Sequence, residues 1–450
     1  MPPMASTRPS PSAPITSFTS LEHTKAVGAD VRIPSVDGLR GMAILLVLLL
    51  HFTIYGVDRP SGGVLKFVYK TLETGWIGVD LFFVLSGFLI TGILYRTKAR
   101  EHYFSRFYLR RTLRIFPLYF GVLVIATVVL PRVFADNVRF NGWREQGIWY
   151  WTYTANVMVA RHGWNLAPVQ GLDHFWSLAI EEQFYLVWPL CVYLLDRQRL
   201  LLLCGLTMAA SLGVRLAINL LGHPLAAYVL TPARLDALAV GAIVALLAAD
   251  ERGLSPLRGL AWRVAVLSAL VFAAIAAYRF TTNPNDLVIQ TLGYSVIAIM
   301  FGAGLVITLS DGRTNVARWL STRPLRLLGR YSYGLYVFHH PVLFVLPPAN
   351  VALALQQTLG ISLLARPLAI ALVASLCLAM AASSWHLFEQ PILNLRERSR
   401  RRPRGARPLR VSSDRAVLER LDARPHDEAT SVQQAAARID PAGGIAQKLY

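Results

Sequence analysis

Cysteine is nearly absent from this 450-residue chain, with three in total. Cys191, Cys204 and Cys377 fall in apolar stretches at spacings that fit neither a disulfide framework nor a zinc site, so they read as packing residues. Acidic residues are scarce as well, 26 Asp and Glu against 45 Lys and Arg, and charged residues of both signs make up only 16% of the chain. So low a charged fraction, beside 54% hydrophobic residues and a mean hydropathy of +0.44, excludes an ordinary soluble domain. There is no internal repeat of the kind seen in many transporters. The first 32 residues are polar and rich in Ser, Pro and Thr, without an apolar core ending in a small-residue cleavage site. The expectation is that no secretory signal is removed and the first apolar segment is retained as a span.

Apolar length is what the chain has in abundance. A bilayer core about 30 Å thick needs roughly 20 mostly apolar residues per helix, and ten such stretches occur, near residues 38–57, 76–95, 115–133, 175–195, 199–221, 231–249, 262–280, 287–310, 332–351 and 363–387. The expected fold is therefore an all-α integral membrane protein of about ten transmembrane helices. The net charge of +19 is concentrated after the second span (Arg96 to Arg114), after the eighth (Arg313 to Arg330) and in the tail "RERSRRRPRGARPLR". With ten spans these three regions share one side, and basic segments stay in the cytoplasm, so both termini are expected inside. This placement accounts for the charge without nucleic acid as a partner; the lipid bilayer is the partner it implies. Residues 1–32 read as a disordered cytoplasmic segment, 33–395 as the membrane domain and 396–450 as a basic, disordered cytoplasmic tail able to touch anionic headgroups. The long connection between the third and fourth spans carries Trp143, Trp149, Tyr150, Trp151, Tyr153 and Trp164, which suit an interfacial belt or a platform for sugars.

Ionisable residues inside spans are costly and mark sites or pathways. Arg40 and His51 lie eleven residues apart on the first helix, about three turns, and so share a face roughly 16 Å apart. "HFWSLAIEEQFYLVWP" aligns His174, Ser177 and Glu181 on one face with Glu182 beside them. "SYGLYVFHHP" does the same for Ser332, Tyr336 and His339. Asp80 sits among glycines and reads as packing, while Arg234 and Asp236 read as a local ion pair, a cap or part of a site. In "YLRRTLRIFP", Arg111 and Arg114 are one turn apart: either a topology signal or a fork for phosphates. Since these charges cannot all face lipid, they are expected to converge on a polar interior.

In this order the motifs resemble the membrane acyltransferase type 3 family, over about residues 33–391. Arg40 and His51 fit its Arg–ten residues–His signature, "GVDLFFVLSGFLI" its second-span motif, and Arg111 and Arg114 its Arg-x-x-Arg element. "WSLAIEEQFYLVWP", "SYGLYVFHHP" and "FEQP" with Glu389 complete the match. The resemblance implies a stand-alone enzyme without the extra hydrolase-like domain of some members. It would reside in a bacterial inner (cytoplasmic) membrane and move acyl groups, usually acetyl, to a surface glycan, lipid-linked sugar or other hydroxyl-bearing acceptor. The donor implied is acetyl-CoA or another acyl-CoA, anchored by Arg111 and Arg114; no tightly bound cofactor and no metal are expected. His51 would act as general base, with Arg40 or Tyr336 stabilising the acyl oxygen and Glu181 orienting a histidine or holding the acceptor. A covalent relay through Ser332 or a histidine such as His339 is the second scheme. Rival classes are a proton-coupled transporter of a glycan precursor or small anion, and a non-catalytic partner in polysaccharide assembly.

Overall fold

The computed structural model describes residues 33–136, 141, 144–164, 171–360 and 364–394, all helix, turn and loop with no strand among them. The readings for residues 1–32, for 396–450 and for Trp143 lie outside the described residues. The principal helices are α1 (Pro34–Gly56), α2 (Gly63–Glu73), α3 (Ile77–Thr97), α4 (Tyr103–Val124), α5 (Trp176–Leu194) and α6 (Arg197–Leu220). They continue with α7 (Leu235–Ala248), α8 (Arg258–Arg279), α9 (Tyr294–Ser310), α10 (Arg323–Val345), α11 (Pro348–Leu359) and α12 (Ala365–Ser384). Each of the ten apolar stretches lies on one of these helices or bent helix pairs. Seven helical runs are long and apolar enough to cross a membrane, and eight if α10 and α11, bent by 52°, form one span. The other two fall short for visible reasons. α5 carries Glu181, Glu182 and Gln183 in its middle, and α7 has only 14 residues.

One boundary differs in a way that matters. The third stretch begins at Ile115 by hydropathy, but α4 starts twelve residues earlier, at Tyr103, so Arg111 and Arg114 stand on the helix itself and not on a loop. Hydropathy ends a span at a cluster of charge; the helix runs on because the guanidinium groups have an interior cavity to face.

Several helix interfaces depend on backbone-to-backbone contact, two of them central to the site. α1 crosses α10 where Gly41 faces Leu325 and Gly329 faces Asp37; a Cβ on Gly41 would stand 1.9 Å from the Leu325 carbonyl oxygen, and one on Gly329 1.8 Å from that of Asp37. α3 crosses α7 in the same manner through Gly87 and Gly241, each 2.0 Å by that measure from a carbonyl of the other helix. Small residues of this kind let membrane helices approach closely where no hydrophobic effect drives them together. Asp80 belongs to the second interface but does more than pack. Its Oδ1 lies 2.7 Å from an Arg234 Nη, and Asp236 pairs with Arg215 of α6 at 2.8 Å, so the expected local Arg234–Asp236 pair is replaced by two pairs between helices. A guanidinium two residues from a carboxylate cannot align with it along a helix, whereas a neighbouring helix can present one at the right height. Arg215 also donates to the Ala233 carbonyl and to Ser295, and Arg234 lies 4.1 Å over the Tyr294 ring.

The aromatic connection packs against α4. Tyr150 is fully buried, Tyr153 stacks on Tyr119 at 4.3 Å, and Trp151 stacks on Phe120 of α4. Cys204 and Cys377 are buried, and all three cysteines are free.

Gly41→Leu is expected to abolish the folded monomer in detergent, because backbone cannot move out of the way as a flexible side chain would; overpacking alone costs typically about 1–3 kcal/mol. Gly213→Leu on α6, where nothing lies within 4 Å of a Cβ, serves as the control and should elute and melt like the parent chain in size-exclusion and thermal-unfolding measurements.

Candidate active site

Two cavities among the described residues gather the motif residues. The first, about 160 Å³, is lined by Arg40 of α1, Ser86 of α3, Arg111 and Arg114 of α4, Glu181 and Glu182 of α5, and Ser332 and Tyr336 of α10. Its carboxylate is held in place: Ser86 donates to Glu181 Oε1 at 2.7 Å, and Tyr185, one turn further along α5, donates to Oε2 at 3.0 Å. Arg111 lies 5.0 Å over the Tyr185 ring. None of Arg40, Arg111 and Arg114 forms an ion pair with a carboxylate among the described residues. Arg40 is the strongest electrostatic neighbour of Arg114, and Glu389, beyond α12, lies within range of both. Three guanidinium groups sharing one small cavity, none ion-paired to a carboxylate among the described residues, have the chemistry to hold a polyanion, since Arg matches phosphate oxygens in bidentate fashion.

The second cavity is larger, about 500 Å³, and is lined by His51 and Tyr55 of α1, Asp173 and His174 of the turn before α5, and His340 of α10. Lys70 of α2, Trp164, Trp176 and Tyr228 complete it, together with the polar turn Thr282, Asn283 and Asn285. The rings of His174 and His340 are 5.0 Å apart, as are those of His51 and His340. His51 Nδ1 is 2.8 Å from the Val47 carbonyl oxygen. A carbonyl can only accept, so Nδ1 carries the proton of the neutral ring and Nε2 keeps its lone pair, the form a general base requires. Asp173 Oδ1 lies 3.2 Å from His340 Nδ1, and Tyr55 is hydrogen-bonded to His340 Nε2 at 3.3 Å. Burial pushes the Asp173 carboxyl up to about 6, against the pull of the facing His51.

Tyr336 and Val79 line both cavities. The Tyr336 hydroxyl donates to the His174 carbonyl at 3.0 Å and is hydrogen-bonded to Ser177, while its own carbonyl accepts from His174 Nε2 at 2.9 Å. One tyrosine is thus tied to the turn that carries Asp173 and His174, and its ring divides an arginine chamber from a histidine chamber.

A family model described as an acyltransferase domain matches residues 33–385. The chain belongs to the acyltransferase type 3 family. It is 30% identical over 338 residues to the peptidoglycan O-acetyltransferase OatA of Listeria monocytogenes serovar 1/2a, a match covering 70% of this chain and 50% of that protein. It is 29% identical over 331 residues to the O-acetyltransferase OatA of Staphylococcus aureus strain NCTC 8325, covering 69% and 50%. The chain spans about half the length of these relatives. No solved structure matches it.

The family's motif residues come together, though not as the sequence suggested. Arg40 and His51 share a helix but open into different cavities. Glu181 is held by Ser86 and Tyr185 on the arginine side and not against a histidine. Ser332 lines the arginine cavity, but its hydroxyl donates to the Gly329 carbonyl at 3.0 Å. His339 is fully buried and lines neither cavity; its Nδ1 is hydrogen-bonded to the Leu335 and Tyr336 carbonyls, and its ring stands 5.0 Å from those of His51 and His174. It supports the other rings from behind. The residues that sequence reasoning missed are Asp173, His340, Tyr55 and Ser86. The doublet "HHP" contained the signal for His340, but two adjacent histidines point about 100° apart on a helix, and only the packing of α10 decides which one meets the cavity.

Like charges held together without a ligand are a stored cost, and replacing buried ionic groups by apolar ones is often neutral or stabilising. Arg114→Met is expected to raise the melting temperature of the ligand-free protein, by about 2–4 °C for each 1 kcal/mol relieved. It is also expected to remove the stabilisation that added pyrophosphate gives the parent chain. A thermal-shift series in pyrophosphate checks both.

Proposed function

We propose that this protein is a membrane O-acyltransferase that passes an acyl group, acetyl in the first instance, from cytoplasmic acyl-CoA to a hydroxyl of a cell-wall glycan on the opposite face of the membrane. In this reading α10 and α11 count as one span and α5 and α7 as two more, giving ten crossings of a bacterial cytoplasmic membrane with both termini in the cytoplasm. The arginine cavity then opens towards the cytoplasm and the histidine cavity outward. The observation that carries the proposal is the shared wall: an anion-binding chamber and a base-bearing chamber abut at Tyr336.

Arg111 and Arg114 hold phosphate oxygens of the donor, which therefore acts as a substrate and not as a tightly bound cofactor. Arg40, on the same cavity, is available to the thioester carbonyl oxygen as negative charge develops on it. The acceptor enters among Trp164, Trp176, Tyr228 and the polar turn, a mixture of flat rings and hydrogen-bonding groups suited to a sugar. His51 Nε2 takes the hydroxyl proton as the acceptor oxygen attacks. The new C–O bond forms, the C–S bond breaks, and the proton on His51 is then available to the departing thiolate. Direct transfer is favoured over a relay through Ser332, because that hydroxyl proton is directed to Gly329 and no histidine is hydrogen-bonded to it. The Listeria and Staphylococcus relatives support an O-acetylated glycan, peptidoglycan first among candidates.

Inside-out vesicles carrying the parent chain, given radiolabelled acetyl-CoA and a crude envelope-glycan fraction, are expected to label the glycan. His51→Ala should lower the rate by about 10²-fold or more, the range general acid–base catalysis supplies. Arg111→Ala should act chiefly on the KM for the donor, and Ser332→Ala should stay within a few-fold of the parent. Full activity in His51→Ala, or uptake of substrate without chemical change, would overturn the reading, the latter in favour of transport.

A further inference from the structure

Asp173, His174 and His340 were not gathered by any sequence motif, yet each offers a ligand atom within 4.8 Å of the other two. Their arrangement is more specific than that proximity. His174 is 4% exposed and its Nδ1 has no hydrogen-bond partner among the described residues. Its other nitrogen, Nε2, is 2.9 Å from the Tyr336 carbonyl oxygen, so Nε2 carries the proton and Nδ1 presents a buried lone pair. His340 has the same polarity available, with Nε2 hydrogen-bonded to Tyr55 and Nδ1 turned to Asp173 Oδ1 at 3.2 Å. Asp173 Oδ1 is in turn oriented by the His174 backbone N–H at 3.2 Å. An imidazole whose far nitrogen is tied to a carbonyl or hydroxyl while its near nitrogen is left bare is the pattern that outer partners impose on metal-ligating histidines.

We propose that Asp173, His174 and His340 bind a divalent transition-metal ion of the zinc class through Asp173 Oδ1, His174 Nδ1 and His340 Nδ1. Metal–ligand distances of about 2.0–2.2 Å put neighbouring ligand atoms roughly 3.3–3.5 Å apart in a tetrahedron. The Asp173–His340 separation of 3.2 Å already matches that, and His174 offers a ligand atom within 4.8 Å of both. Three protein ligands leave a fourth position open, the hallmark of a catalytic and not a structural site, and these residues line the histidine cavity. If the acyl-transfer reading holds, an acceptor hydroxyl takes that position and is made easier to deprotonate by His51. Metal binding itself does not depend on that reading. The proposal replaces the sequence-based expectation of no metal, which rested on the histidines lying on separate segments.

The test needs neither donor nor acceptor. The full chain, purified in detergent, is stripped with a chelator, loaded with Zn²⁺ or Co²⁺ and desalted; metal is counted by mass spectrometry, and Co²⁺ coordination is read from its visible absorption. The parent chain and His51→Ala are expected to retain about one ion per chain, with a Co²⁺ spectrum typical of mixed N/O ligands. His174→Ala and Asp173→Asn should retain at least tenfold less. Because a variant that misfolds would also lose metal, the parent chain alone gives a second readout: its melting temperature should fall on chelation and recover with Zn²⁺. No stoichiometric metal and no metal-dependent melting in the parent chain would overturn the proposal, as would equal metal in His174→Ala.

Discussion

The ion pair between Arg234 and Asp80, with its neighbour between Arg215 and Asp236, is the contact on which the rest of the bundle rests. An ionised side chain at the centre of a bilayer costs about 2.5–3.5 kcal/mol on insertion scales, and a buried pair deprived of one partner is destabilised by about 3–5 kcal/mol. The two pairs tie α3, α6 and α7 together, and Ser295 brings in α9. α3 also carries Ser86, the residue that fixes Glu181. Charges that are paired on one side of the bundle therefore hold up a wall of the cavity in which other charges are not. The same energetic rule that makes the pairs structural makes Arg40, Arg111 and Arg114 candidates for a ligand-binding role, since a cluster of unpaired guanidinium groups in a membrane protein calls for a ligand or water to complete it.

The α1–α10 crossing sets the geometry of both chambers. Arg40 and His51 are fixed relative to one another by a single rigid helix, and Ser332, Tyr336 and His340 by another. Contact between the backbones at Gly41 and Gly329 leaves little freedom for the two helices to slide. A site built on helices in this way holds its groups more closely than one built on loops. The histidine cavity is less uniform, because Asp173 and His174 belong to a short turn. That turn is tied down through Tyr336, whose backbone and hydroxyl both reach His174.

Hydropathy located every long helix because lipid imposes one dominant period and length. It missed the first three turns of α4, where the charges face inward, and it counted α5 and α7 as spans, although neither is both long and apolar enough in the structure to qualify by that measure. Arg40, His51 and Glu181 were legible as candidates because ionisable residues are costly in a span, and Arg111, Arg114 and Tyr336 because they stand at helical spacing within motifs. Their partition into two cavities was not, because helical phase gives a direction on one helix but not which neighbours occupy it. For Arg234 and Asp236 the sequence left a local pair, a cap and a site role open, and the structure pairs each with another helix, because pairing between helices depends on relative height, which no single segment encodes. Asp173 was passed over because, outside the apolar stretch, an acid is unremarkable until its burial is known.

Tyr336 is where these constraints meet. Swinging its ring aside would break the bond to the His174 carbonyl and the one to Ser177, each worth on the order of 1 kcal/mol net. That cost is low enough for binding energy to overcome, and at rest the two bonds favour the ring's position between the chambers. On the proposed reading this separation has a chemical purpose. A thioester waiting in the arginine cavity is kept from water that enters the open histidine cavity, and hydrolysis is the side reaction an acyltransferase must avoid. Because the tyrosine's backbone carbonyl also sets the tautomer of His174, its helix turn orients the histidine chamber while its ring bounds the arginine chamber. The positions of donor and acceptor are then coupled through one residue, without a lid and without movement of a whole helix.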